Sequence, residues 1–182
     1  LYRIWSVSQE FPSSHIKVTN QTSIKCVDLL ENGQVDLIFI NYPNNYINQL
    51  STVKKIKTFR DVFVANDSFS HLKGKKLSYQ ELLDQPILML DRKSTTSEFL
   101  HSLFQQHQLD LVPEIELSSN DLLIDLAKIG LGIAFIPDYC LSRDPEALYR
   151  GDKEEAAKRQ LLIAYNDRIP MSRSVQAFLD YF

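Results

Sequence analysis

Three short polar segments hold much of the chemistry this 182-residue sequence could do. They are Asn20-Gln21-Thr22-Ser23, Lys93-Ser94-Thr95-Thr96-Ser97-Glu98 and Ser118-Ser119-Asn120-Asp121. Each follows an apolar run and precedes an apolar-periodic segment, so each reads as a loop joining a strand to a helix. Ser, Thr, Asn and Asp at such places accept hydrogen bonds from the free N–H groups of a first helical turn. Thr95 with Glu98, and Ser118 with Asp121, have spacings at or near that of a capping box. Capping alone explains each segment singly. Together they admit a second role, because ligands of open α/β sheets sit beyond the carboxyl ends of the strands. Helix N-termini there favour anions. Hydroxyl groups add adjustable donors, and Lys93 adds a full charge. A small anionic or zwitterionic ligand held by two or three such loops fits this pattern.

Other chemistries lack their residues. There is no Gly-x-x-x-x-Gly-Lys-Ser/Thr phosphate loop. Gly130-Leu131-Gly132 follows a helical segment and precedes a strand, the wrong order for a dinucleotide fingerprint, and reads as a helix stop. His15, His71, His101 and His107 form no His-Glu-x-x-His or Cys/His ligand pattern, so surface or capping roles are expected and no metal. No Gly-x-Ser-x-Gly elbow or Cys-His signature marks a nucleophile. These residues point to binding, not catalysis, and to no cofactor. Cys26 and Cys140, far apart and among apolar neighbours, read as buried, inert thiols in a reducing cytoplasm.

The elements that must position the polar loops follow from periodicity. Helices are expected over 1–7, 23–31, 78–83, 97–108, 121–129 and 172–182. Strands are expected over 16–19, 35–40, 53–59, 61–65, 87–90, 114–117, 133–136 and 161–165. The near-continuous apolar run Val35-Asp36-Leu37-Ile38-Phe39-Ile40 suits a strand covered on both faces of a parallel sheet. The start of the tract 137–149 is expected to be helical. Alternating strands and helices imply an α/β fold with mainly parallel sheets. A net charge of -3 without a basic block argues against nucleic-acid binding by this chain itself. No apolar run approaches the roughly 18 residues of a membrane span.

Certain stretches carry a family likeness. Phe11-Pro12, the alternating Ile16-Lys17-Val18-Thr19, the helix start Thr22-Ser23, and Leu29-Leu30-Glu31-Asn32-Gly33-Gln34-Val35-Asp36-Leu37 follow one another in order. Later come Leu77-Ser78, Glu81-Leu82-Leu83, Pro86-Ile87, and then Gly130-Leu131-Gly132-Ile133-Ala134-Phe135-Ile136-Pro137. This order resembles the effector-binding domain of LysR-type transcriptional regulators from about residue 10 to the end, residues 142–158 excepted. The resemblance implies a type 2 periplasmic-binding-protein-like fold: two Rossmann-like subdomains joined by two crossover strands, with the first strand missing from this chain. Subdomain I would be 1–63 plus 165–182, and subdomain II 64–164. The effector would lie between them, contacted by Thr22, Ser23, Asn41, Ser94, Thr95, Thr96, Ser119 and Asn120. Ser118 and Asp121 would close the helix end, leaving Ser119 and Asn120 to face the ligand. The family also implies a homodimer or tetramer, pairing 16–19 and 1–7 with the partner's 97–108. DNA would be bound only through an N-terminal helix-turn-helix outside this chain. A transporter's solute-binding protein of the same fold is the alternative, and an enzyme on this scaffold a third.

Overall fold

The computed structural model describes residues 2–47, 52–143, 149–150 and 158–182. Its strands form two sheets. The first contains β1 (Leu37–Tyr42), β2 (Thr52–Phe59) and β8 (Arg159–Tyr165), in the order β1-β8-β2. Both pairings are antiparallel. Helix α2 (Ser23–Glu31) places Val27 and Leu30 against Ile38, Ile40, Leu162 and Ala164. On the other face of β1, Phe39 meets Phe178 of α6 (Arg173–Asp180) and the following Phe182 edge-on, with centroids 6.1 and 5.3 Å away. Helix α1 (Tyr2–Glu10) packs on α6. One face of the apolar run in β1 is thus buried against α2, whereas on the other Phe39 stays 38% exposed beside the rings of Phe178 and Phe182, so the run is not covered on both faces as its composition suggests.

The second sheet has the order β5-β4-β6-β3-β7, where β3 is Asp61–Ala65, β4 Ile87–Leu90, β5 Ile115–Leu117, β6 Ile133–Pro137 and β7 Tyr149–Arg150. Strand β4 runs parallel to both neighbours. Its successive side chains serve two cores. Ile87 and Met89 join Leu100 and Phe104 of α4 (Thr95–Gln106), with Leu82 of α3 (Tyr79–Leu83). Leu88 and Leu90 join Leu123 and Ala127 of α5 (Asn120–Lys128). Met89, Leu88, Leu100, Phe104 and Leu123 are all fully buried. Burial of such a side chain stabilises by roughly 1.5–3 kcal/mol.

The glycine pair at the end of α5 does two jobs. Gly130 has φ +84°, and the bonds Gly130 N–H to Ala127 O and Leu131 N–H to Leu126 O close the helix as a Schellman turn. Gly132 lets β6 approach β4: a Cβ there would stand 2.3 Å from the Pro86 carbonyl oxygen.

Two expectations need correction. The sheets are not mainly parallel. Strand β2 leaves the first sheet and β8 returns to it, so the two run in opposite directions when they pair. Strand β3 likewise runs against both β6 and β7. Residues 16–19 are no strand: among the described residues they have no ladder partner, and Ile16 and Val18 stay exposed. Alternation supplies an apolar face, but a strand also needs a neighbour for its N–H and C=O groups. The segment after Pro137 is a 3-10 helix, Asp138–Arg143, and most of 142–158 lies outside the described residues.

Candidate functional site

The chain passes from the first sheet to the second at Arg60, between β2 and β3, and returns by Arg159 at the head of β8. Phe59 and Arg159 are register partners, so the two passages lie side by side. A charged pair sits at this junction. Arg159 Nη1 donates to Asp61 Oδ2 at 2.6 Å, with both side chains almost wholly buried, and to Thr96 Oγ1 at 3.3 Å. The guanidinium carbon lies 5.3 Å from the Phe59 ring centre and 5.2 Å from that of Phe99, both within cation–π range. Phe59 meets the ring of Tyr139 edge-on at 5.1 Å, and Lys57 Nζ lies 4.6 Å from that ring's centre. The Tyr139 hydroxyl donates to Asn41 Oδ1 at 2.8 Å. The Asn41 N–H donates to Ser23 Oγ at 3.1 Å. One connected set of contacts thus joins α2 and β1 to the start of α4 through the junction.

The expected residues divide into three groups. Ser23, Asn41 and Thr96 belong to this connected set. Thr22, Ser94 and Ser119 are N-caps, accepting from the N–H groups of Lys25 (3.4 Å), Ser97 (3.0 Å) and Leu122 (3.3 Å). The capping assignments at α4 and α5 are corrected by one residue each, from Thr95 to Ser94 and from Ser118 to Ser119. Adjacent hydroxyls serve equally well as caps, and the end of the preceding strand decides between them. Thr95, like Ser94, is buried. Asn120 opens α5 outside this set of contacts, and its Oδ1 is buried.

Asp61, Arg159, Tyr139 and Phe59 were not anticipated. The visible signals were a carboxylate opening the apolar run Asp61-Val62-Phe63-Val64-Ala65 and an arginine heading Leu161-Leu162-Ile163-Ala164. Their pairing spans 98 residues, beyond the reach of any local pattern.

Among the described residues, Arg159 Nε and Nη2 and Asp61 Oδ1 at the junction are buried without a hydrogen-bond partner, as are Asn44 Nδ2, His101 Nε2 and Asn120 Oδ1 outside this set of contacts. Native interiors leave few such atoms. Arg159 spends Nη1 on protein, and its Nε–Nη2 edge is uncommitted. Burial raises the Asp61 carboxyl above its ordinary range, outweighing the opposing pull of Arg159, and nearby Asp138 adds to the rise. Burial also pushes up the Tyr139 hydroxyl and lifts the Cys140 thiol to about 12. Cys26 and Cys140 are free and half-buried, and burial raises Cys26 as well. His101 is buried in α4, not at the surface as expected, and desolvation lowers its pKa. Among the described residues no group of three His, Cys, Asp or Glu side chains could hold a metal ion. The unengaged Nε–Nη2 edge of Arg159 presents two N–H donors of the kind that match an oxyanion.

The LysR substrate binding domain family matches residues 3–182. The chain belongs to this family. It is 26% identical over 180 residues to the HTH-type transcriptional activator CmpR of Synechocystis sp. strain PCC 6803, covering 95% of this chain. The chain spans 57% of that relative's length. Among solved structures, the CcmR regulatory domain of Synechocystis PCC6803, in complex with 2-PG, superposes with a TM-score of 0.84 at 21% identity, covering 99% of this chain and 87% of that one. The QuiR effector-binding domain in complex with shikimate has a TM-score of 0.77 at 15% identity, covering 98% and 87%. These likenesses support the type 2 periplasmic-binding-protein-like fold of a LysR-type effector-binding domain. No helix among the described residues is long and apolar enough to cross a membrane.

Proposed function

We propose that this LysR-type domain senses a small anionic or zwitterionic metabolite bound at the junction of its two sheets. The single observation that carries this reading is Arg159, a buried guanidinium between the sheets whose Nε–Nη2 edge no described residue engages. Thr96, from the first turn of α4, and Asn41, from β1, would set the ligand's orientation, with Ser23 supporting Asn41. The capping residues Thr22, Ser94 and Ser119 would shape the walls, Thr95 would back them, and Asn120 would offer its unpartnered oxygen. We draw the subdomain boundaries at the sheet changes, near Arg60 and just before Arg159, in place of 63/64 and 164/165.

The ligand would act by favouring one relative orientation of the sheets over another, since only differential affinity can shift such a balance. In the whole protein this would alter the geometry of a homodimer or tetramer in the cytoplasm, with DNA bound by a separate N-terminal domain. No catalytic role is proposed. The regulator reading is preferred to a transporter's binding protein because the curated relative is a transcriptional activator.

The test is calorimetric titration with a panel of organic acids, phosphorylated acids and amino acids, 2-PG and shikimate included. At least one compound should bind, and Thr96→Ala and Asn41→Ala should each weaken it about 5- to 100-fold, the effect of one lost hydrogen bond to a charged or polar group. Absence of binding across the panel, or binding indifferent to both substitutions, would sink the assignment.

A further inference from the structure

Resting on that reading, the junction also shows how the site would accommodate a second negative charge. Arg159 and Asp61 together are neutral and nearly sealed from water. Asp61 uses Oδ2 toward Arg159 and leaves Oδ1 without a partner. The uncommitted Nε and Nη2 of Arg159 are the side of a guanidinium that offers two parallel N–H donors, the geometry that matches the two oxygens of a carboxylate or the edge of a phosphate. The twelve-residue helix α4 begins beside it at Thr95, with Thr96 already bonded to Nη1, and its N-terminus favours an anion.

An oxyanion on that edge would make a buried group of two anions around one cation. Of the other ionisable groups around Asp61, Asp138, after β6, carries a like charge, the hydroxyl of Tyr139 and thiol of Cys140 are held neutral by burial, and the Lys57 ammonium lies over the Tyr139 ring and makes no ion pair with Asp61. Like charges sharing a buried site do not both stay ionised, and the cheaper response is for one to take a proton. We propose that the site takes up an oxyanion and a proton together: the ligand's two oxygens accept from Arg159 Nε and Nη2, and a solvent proton passes to Asp61, whose free oxygen becomes a hydroxyl. Asp61 already stands raised in the unliganded chain, which shortens that step. The ligand's anchoring group is then a carboxylate or phosphate, and acidification strengthens its binding.

The experiment follows the full 182-residue chain by nitrogen-15 NMR, observing the Arg159 Nε–Hε signal, with acetate, its neutral isostere acetamide and inorganic phosphate as probes at constant ionic strength. Acetate or phosphate should shift the signal saturably and acetamide should not. The acetate affinity should rise by up to tenfold per pH unit on going from pH 7.5 to 5.5, the limit for one proton bound with one ligand. Asp61→Asn should still bind acetate and lose this dependence, which assigns the proton to Asp61. Equal effects of acetate and acetamide, or an unmoved Arg159 signal, would remove the anchor. Acetate binding that ignores pH, or a dependence retained in Asp61→Asn, would remove the proton. If metabolites of the panel bind elsewhere between the sheets while Arg159 stays silent, the sensing role survives and this inference falls. If acetate binds at Arg159 with its proton but no panel compound is recognised, this inference stands and the sensing role falls.

Discussion

Substituting Arg159→Met tests the junction most directly. The guanidinium side chain is 1% exposed and its partner Asp61 0%. Methionine preserves much of the aliphatic stem beside Phe59 and Phe99 but leaves the Asp61 carboxylate buried with no counter-charge. Breaking a buried pair in this way costs about 3–5 kcal/mol, most of it the cost of the stranded ion. For a chain of this length that lowers Tm by roughly 6–20 °C. The loss must depend on pH, and its sign follows from Asp61. Its folded pKa is raised above the unfolded value of about 3.9. Its contribution is therefore fully present below that unfolded value and is lost as pH rises through the folded one. Removing Arg159 raises the folded value further. The variant's deficit should therefore shrink as pH falls from 7 to 4, by at most about 1.4 kcal/mol per pH unit for one proton. Arg159→Met with Asp61→Leu should recover to within about 1 kcal/mol of the parent at pH 7, since an apolar pair of similar volume is often neutral. The assay is urea unfolding by far-UV circular dichroism, because Trp5 is 56% exposed and a weak reporter of the junction. A deficit under 1 kcal/mol at pH 7, or one unchanged between pH 4 and 7, would refute the reasoning.

Further consequences can be checked with equal economy. Gly132→Ala places a methyl 2.3 Å from Pro86 O and 2.9 Å from Leu88, and because that oxygen is held by the Ile133 N–H at 2.9 Å, the variant should lose about 3 kcal/mol by urea unfolding. A loss below that of Gly130→Ala, which meets only side chains and strain of about 1–2 kcal/mol, would contradict the close approach. His101 has a lowered folded pKa, so its stabilisation is present above the unfolded value of about 6.5 and is lost as pH falls through the folded one; Tm between pH 7.5 and 5 should flatten in His101→Gln, and an unchanged slope would speak against it. Cys140, with a thiol lifted to about 12, should react with a disulfide reagent at pH 8 more than tenfold slower in the native chain than in urea, and equal rates would contradict its burial.

Local chemistry was legible and long-range chemistry was not. The short apolar run of β4 and the hydroxyl-rich starts of α2, α4 and α5 follow from spacing within a dozen residues, and the sequence shows them to within a residue or two. Ser119 in place of Ser118 is an error of frame, because two adjacent serines satisfy the same N–H group. Residues 16–19 show the opposite limit: the alternation is real, but pairing depends on a neighbour that no pattern within the segment supplies. Asp61 and Arg159 stand at the heads of two apolar strands, and nothing in either neighbourhood announces the other. What joins them is the register of β2 on β8, set by the bulge between Lys55 and Lys57 and by the return of the chain.

The position of that pair at the two passages has a mechanical meaning. Phe59 faces Arg159 where one strand departs and the other arrives, so the sheets hang on a bearing two strands wide. A molecule seated far from a bearing must drag a whole body to be felt. One seated on it works with a short arm, and a displacement smaller than a bond length there is multiplied along the full reach of each sheet. The deeply buried Arg159–Asp61 pair thus stands where a small displacement would have the longest reach.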